Sequence, residues 1–168
     1  MRVLAICGSL QQKSGNLELL RIAASGAPEG VEFLLFDGIR RLPLFNPDLD
    51  GEDAPAAVRD WRKVLLACDA ILVASPEYGH SLSGALKNAI DWTIPSGELY
   101  GKTVAITAAV AAPERGRLGL QALRVTLQAA GSVIVGGEPI VRGPNLAIET
   151  HALLRELVER ADAMPTDR

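Results

Sequence analysis

Two segments of the chain bring together residue types that suit a small molecule carrying an anion and a planar ring. The first is Gly8-Ser9-Leu10-Gln11-Gln12-Lys13-Ser14-Gly15-Asn16-Leu17, between the apolar run Val3–Cys7 and a helical pattern. Hydroxyls, amides and backbone N–H groups gathered at a helix N-terminus form an anion site, because the unpaired donors and the helix dipole face the same way. A phosphate is its natural occupant. Gly8 lets the chain turn close to a ligand, and Asn16 is placed to cap the helix. The plainer alternative is a strand-to-helix turn with an N-cap and no ligand. The second segment runs from Ser75 to Trp92 and reads Ser75-Pro76-Glu77-Tyr78-Gly79-His80-Ser81-Leu82-Ser83-Gly84-Ala85-Leu86-Lys87-Asn88-Ala89-Ile90-Asp91-Trp92. Pro76 fixes the exit from a strand, Tyr78 offers a flat face, and Gly79 permits close backbone approach. A planar ring system fits against Tyr78, with the backbone N–H groups of Glu77 to Ser81 at its edge. Here the plainer alternative is a capped loop and helix, with Ser81 or Ser83 as the cap.

Other chemistries are poorly served. No G-x-x-x-x-G-K-[ST] run exists for a nucleoside triphosphate, and no G-x-G-x-x-G for a dinucleotide, although Asp37 stands where a ribose-binding acid would. Gly79-His80-Ser81-Leu82-Ser83 comes close to the G-x-S-x-G nucleophile elbow, with His151 downstream as a possible base. Against a serine hydrolase stand Ser83 at the last position, Pro76–Tyr78 between strand and elbow, and the lack of a clear acid loop before His151. Two cysteines, Cys7 and Cys68, and two histidines, His80 and His151, offer no metal spacing and no disulfide framework. Both thiols are expected to be reduced and buried. The net charge is −3, with scattered basic residues and 4% aromatics. That argues against nucleic acid and anionic membranes as partners. Only Val3 to Cys7 is apolar before Gly8, too short for a signal peptide, and no run approaches the roughly 18 residues of a membrane span. A cytoplasmic location is expected.

The elements that must position these segments follow from the hydrophobic pattern. Short apolar runs (Val3–Cys7, Val31–Phe36, Ala70–Ala74, Thr103–Ala108, Ser132–Val135) alternate with helical stretches at Asn16–Ala24, Pro55–Ala67, Ser83–Trp92, Gly119–Ala130 and Glu149–Ala161. Runs that are continuously apolar imply strands buried on both faces, hence a parallel sheet covered by helices. Five such units predict a three-layer α/β/α sandwich. The 168 residues suit one domain, 1–161, with 162–168 as a loose tail. Leu82, Leu86, Ala89 and Ile90 form one helical stripe, Leu153, Leu154, Leu157 and Val158 another, and Gly131 stands where a left-handed residue should end the fourth helix. Ligands of such sheets bind beyond the carboxyl ends of the strands.

The two segments resemble the NADPH-dependent FMN reductase family, a flavodoxin-like group that includes quinone, azo and chromate reductases. The family pattern is G-S-L-R-x-x-S-x-N after the first strand and P-E-Y-x-x-S-x-P-G-x-L-K-N-A-I-D-W after the third. The likeness extends over nearly the whole chain in order and spacing. It implies a five-stranded parallel sheet and a bound FMN that takes hydride from NADPH or NADH and passes it to a small acceptor such as a quinone. It also implies a homodimer or homotetramer. By match, Ser9, Ser14 and Asn16 hold the FMN phosphate with backbone help from Leu10 and Leu17, while Pro76, Glu77, Tyr78, Gly79 and Ser81 lie along the isoalloxazine. No catalytic side chain is demanded, because the cofactor carries the chemistry. Three positions depart from the pattern. Gln11 replaces the arginine of the first loop, leaving Lys13 as a flexible cation; Ser83 replaces a proline; and the loop Ala108–Gly116 is alanine-rich. A degenerate relative with weak or lost FMN binding is the alternative these departures allow. Arg115 and Arg117 are either solvated or placed to meet a nicotinamide phosphate.

Overall fold

In the computed structural model, residues 1–51 and 53–164 are described. The chain runs β1 (Arg2–Cys7), α1 (Gly15–Ser25), β2 (Glu32–Phe36), α2 (Ala56–Leu66), β3 (Ala70–Ala74), α3 (Gly84–Asp91), β4 (Thr103–Thr107), β5 (Ala109–Val110), α4 (Arg117–Ala129), β6 (Val133–Gly136), β7 (Ile140–Val141) and α5 (Leu146–Asp162). Five strands form one parallel sheet in the order β2-β1-β3-β4-β6. This is the three-layer α/β/α sandwich expected from the apolar runs. The expected tail begins one residue early, since Asp162 closes α5; residues 165–168 lie outside the described residues.

Side chains alternate across the strands and divide the core in two. Val3, Ala5, Leu72 and Ala105 pack with Leu19 and Leu20 of α1 and Leu154 and Leu157 of α5. Leu4, Ile6, Ile71, Val73, Val104 and Ile106 pack on the other face with α2, α3 and α4, through Trp61, Leu65, Leu86, Ile90, Leu120 and Leu123. Every residue of β3 and β4 is buried, which is why these strands are apolar without alternation. The edge strand β2 departs from the expected double burial. Leu34 and Leu35 are 40% and 38% exposed, and only the half-buried Phe33 and Phe36, the latter stacked on Trp61, join the two cores. An edge strand has one ladder partner and thinner helix cover.

Local chemistry ends the elements as the sequence implies. Gly131, at φ +80°, closes α4 in a Schellman motif: its N–H donates to Gln128 O and the N–H of Ser132 to Leu127 O. The stripes on α3 and α5 face the core through Leu86, Ala89, Ile90, Leu154 and Leu157.

The connection from β2 to α2 is long and is held by the second motif segment. Asn88 accepts from Phe45 N–H (2.8 Å) and donates to Pro43 O (2.9 Å), which also receives the Trp92 indole N–H (2.8 Å). Arg62 adds a pairing with Asp50 at 2.8 Å and donates to Trp92 O. We therefore expect Asn88→Leu to cost about 2 kcal/mol in urea unfolding, because it strands the Phe45 N–H away from an acceptor. Asn88→Asp, which keeps that acceptor, should cost less; equal losses would show that the amide is packing bulk only.

Candidate functional site

The chain crosses back past β1 between β2 and β3, so the strand order reverses there and the loops after β1 and β3 open a crevice at the carboxyl edge. Cys7 pairs with Ala74, and Ala74 with Thr107, so β1, β3 and β4 end level. Their following loops leave at one height and are tied pairwise. Gly8 N–H donates to Ala74 O (2.8 Å) and Ser75 N–H to Thr107 O (2.9 Å). The buried Ser83 hydroxyl donates to Gly8 O (2.6 Å) and accepts from Leu86 N–H (3.3 Å), capping α3. Ser83, not Ser81, is the cap.

The first loop meets the donor requirement of a phosphate. The first backbone bond of α1 runs from Glu18 N–H to Ser14 O, so the N–H groups of Gly15, Asn16 and Leu17 precede the ladder. No carboxylate lies between Gly8 and Leu17, and Lys13 carries the loop's one positive charge. Ser9 is buried and accepts from Gln11 N–H (3.3 Å). Asn16 does not cap α1. It sits inside the first turn, 6% exposed, and its Oδ1 accepts from Ala109 N–H at 2.8 Å, tying this loop to β5. The N-cap is Ser14, with extended backbone and no capping bond from its side chain. Leu10 and Gln11 are exposed and help line a cavity of about 370 Å³ on the β2 side, with Cys7, Phe36, Asp37 and Arg40. Cys7 is therefore half-buried rather than buried, because it stands at the strand's last position beside that cavity; Cys68 is buried as expected. Partial burial pushes the Cys7 thiol pKa up, against a backbone hydrogen bond at Ser9, which lowers it. A cradle of this donor set fits a phosphate monoester.

The loop after β3 ends in a miniature hairpin. Tyr78 and Ser81 exchange both backbone bonds at 3.0 Å, and Gly79 and His80 carry φ of +56° and +61°. Two positive φ values in a two-residue loop define a type I′ turn. The turn fixes the backbone of Tyr78, which is 57% exposed at the end of the loop after β3. Glu77 points away from the crevice. Its carboxylate accepts from Gly119 N–H (2.9 Å) at the third residue of α4 and lies 3.3 Å from His80 Nδ1. Those contacts, the Gly119 donor first, hold the Glu77 pKa below the ordinary glutamate value. Gly119 permits the approach, since a Cβ there would stand 2.9 Å from Glu77 Cβ.

Ser81 and His151 are not brought together. His151 Nε2 lies 3.0 Å from Ile22 O and packs on Gly26, at the far end of α1 from the loop. Sequence reasoning named Glu77 but missed its side-chain tie to α4. It also missed the close approach that Gly119 permits and the two-residue parallel ribbon of β5 with β7 that carries Ala109. Only the placement of Gly119 near a helix start was visible beforehand. Among the described residues no cluster of three metal-ligating side chains occurs, and no helix is long and apolar enough to cross a membrane.

This sheet order with a phosphate-type cradle after β1 defines a flavodoxin-like protein. The chain belongs to the NADPH-dependent FMN reductase family, whose pattern it matches over residues 1–143. It is 41% identical over 121 residues to an NAD(P)H-dependent FMN reductase of Pseudomonas aeruginosa, a match covering 71% of this chain and 63% of the relative. A quinone reductase of Escherichia coli is 34% identical over 109 residues, covering 63% and 58%. The chain thus spans less than two thirds of the length of these curated relatives. Among solved structures, a flavoenzyme NAD(P)H:(acceptor) oxidoreductase from Paracoccus denitrificans superposes with a TM-score of 0.78 at 28% identity, covering 94% of this chain and 97% of that one. An NADH:FMN oxidoreductase in its apo form shares the fold, with a TM-score of 0.77 at 20% identity and coverage of 99% and 93%.

The Glu77 contact has a pH signature. A carboxylate with a lowered folded pKa stabilises above the unfolded value, and that stability is lost as pH falls through the folded one. Glu77→Ala should cost about 1 kcal/mol at neutral pH, as loss of a helix N-terminal cap does. The gap to wild type should close in urea titrations below about pH 4.3. A gap that persists at acid pH would show that the loss is packing.

Proposed function

We propose that the protein is an FMN-dependent oxidoreductase that moves hydride from NADPH or NADH to a small acceptor of the quinone class. What carries this reading is the pairing of a backbone-donor cradle at the start of α1, with no carboxylate from Gly8 to Leu17, with the Tyr78 turn, on loops that leave β1, β3 and β4 at one height. FMN, when bound, supplies the hydride chemistry. The phosphate would be held by the N–H groups of Gly15, Asn16 and Leu17 with Ser9, Leu10 and Ser14, and Gln11 at the outer wall. Pro76, Glu77, Tyr78, Gly79 and Ser81 would flank the ring: the first two by backbone, Tyr78 by its face, Gly79 by its N–H and Ser81 by its hydroxyl. Backbone donors at a ring edge favour negative charge there, which suits the reduced state. Exposure of Tyr78 and the open turn leave room for a nicotinamide or a quinone in alternation on one face.

The reading includes one domain over residues 1–161, a cytoplasmic setting, and a homodimer or homotetramer. An assembly is supported by a groove between α3 and α4 beside the turn, where Leu118 and Val125 are 47% and 61% exposed. Neither nucleic acid nor membrane enters it. The relatives' names, FMN reductase and quinone reductase, point the same way.

Titration with FMN should quench flavin fluorescence with a Kd of about 1 μM, or −8 kcal/mol. No binding at hundreds of micromolar would indicate the degenerate alternative. Tyr78→Ala should impair flavin binding and NAD(P)H–quinone turnover. Ser81→Ala should lower turnover only about fivefold, the worth of one hydrogen bond. Ester cleavage that vanishes with Ser81 would instead identify a hydrolase.

A further inference from the structure

The first loop lacks the arginine that the family pattern places at Gln11, yet the structure brings another arginine to the same helix turn. Arg142 directly follows β7, and its backbone N–H donates to Val110 O at 2.8 Å. β7 pairs with β5 through Ala109–Ile140 and Val110–Val141, and Ala109 N–H is bonded to Asn16 Oδ1. That chain of contacts fixes Arg142 against the N-terminus of α1. Its Cδ lies 3.1 Å and its Nε 3.8 Å from the point a Cβ on Gly15 would occupy, so glycine at 15 is what admits the side chain. Among the described residues its guanidinium makes no ion pair or hydrogen bond. A second donor waits beside it. Asn16 is more than nine-tenths buried and its Oδ1 is satisfied, but its Nδ2 has no protein acceptor and is not among the sealed, orphaned atoms. It is therefore open to solvent in the first turn of α1. A guanidinium without a carboxylate, an amide N–H₂ without an acceptor and three helix N–H groups share one turn, and an oxyanion with several acceptor oxygens would satisfy them together.

We propose that Arg142 supplies the fixed cation of the phosphate cradle, gripping the FMN phosphate from the β7 side of α1 in place of the arginine absent at position 11. The proposal rests on the FMN reading above and adds to it a residue outside both motif segments. Arginine suits the role because its planar fork presents two N–H groups to one phosphate, which Lys13 on a flexible stem does not. The β5–β7 ribbon thereby gains a purpose: it is the beam that carries Arg142 to the helix.

The full-length protein can be titrated with FMN and with riboflavin, which lacks the phosphate, following flavin fluorescence. Arg142→Gln should weaken FMN binding about tenfold and leave riboflavin unchanged, with Arg142→Lys between the two. The dependence of FMN affinity on salt should fall in Arg142→Gln. Equal losses for both flavins would overturn the proposal, since the arginine stem would then be only a prop for the loop. An unchanged FMN affinity would overturn it as well, and a loss confined to Lys13→Ala would assign the charge there. If wild type binds neither flavin, the proposed function fails, and inorganic phosphate decides the arginine separately. Shifts of the Gly15 and Asn16 amide resonances with phosphate that disappear in Arg142→Gln support an anion site at Arg142; shifts that persist, or none in wild type, overturn it.

Discussion

The parallel register of β1, β3 and β4 is the constraint on which the site depends. Because Cys7, Ala74 and Thr107 are neighbours across the ladder, three loops emerge at one height beside a reversal of strand order. A slip of one residue in β1 would exchange the side chains it presents to the two cores and lower the Gly8–Leu17 loop relative to the other two. The register is held by burial on both faces of the central strands, where Leu4, Ile71, Leu72, Val104 and Ile106 are almost wholly withdrawn from solvent. Core and site are thus one problem: packing that fixes the ladder also fixes the crevice.

Above the ladder, side chains do the tying, and this leaves backbone donors for a ligand. Ser83 joins the first and third loops, Asn16 joins the first loop to β5, and Glu77 joins the third loop to α4. Each tie spans two elements far apart in sequence, so ordering the loops costs entropy once, at folding, rather than at binding. Glycine marks the places where the ties need contact. A Cβ on Gly8 would stand 3.1 Å from the Ser75 hydroxyl, and one on Gly119 2.9 Å from Glu77. In both cases the missing side chain serves protein–protein contact, not turn formation.

The pKa shifts follow the same division of labour. Cys7 is raised by burial at the strand end, Asp50 is lowered chiefly by its bond to Arg62, and Glu77 is lowered chiefly by the Gly119 N–H. The two lowered carboxylates are each explained by a contact that holds a loop or long connection in place. Chemistry that a flavin would supply asks the protein for position and electrostatics rather than for a tuned acid and base, and the ties of this crevice provide position.

Sequence alone determined the layered architecture, because unbroken apolar runs such as Ala70–Ala74 can be satisfied only by burial on both faces. It also determined where the loops of the crevice lie, since hydroxyl, glycine and amide residues follow the first strand and Pro76–Ser81 follows the third. It could not assign what each polar side chain does. Asn16 and Glu77 have the chemistry of ligand contacts in one dimension, and the fold commits the Asn16 Oδ1 and the Glu77 carboxylate to ties with Ala109 and Gly119, ninety-three and forty-two residues away. Nor could it reveal β5 and β7, for two residues carry no period, or bring Arg142 beside Gly15. Those facts are decided by pairing between distant segments, whereas a linear pattern records only the preferences of each segment for burial, turn or helix.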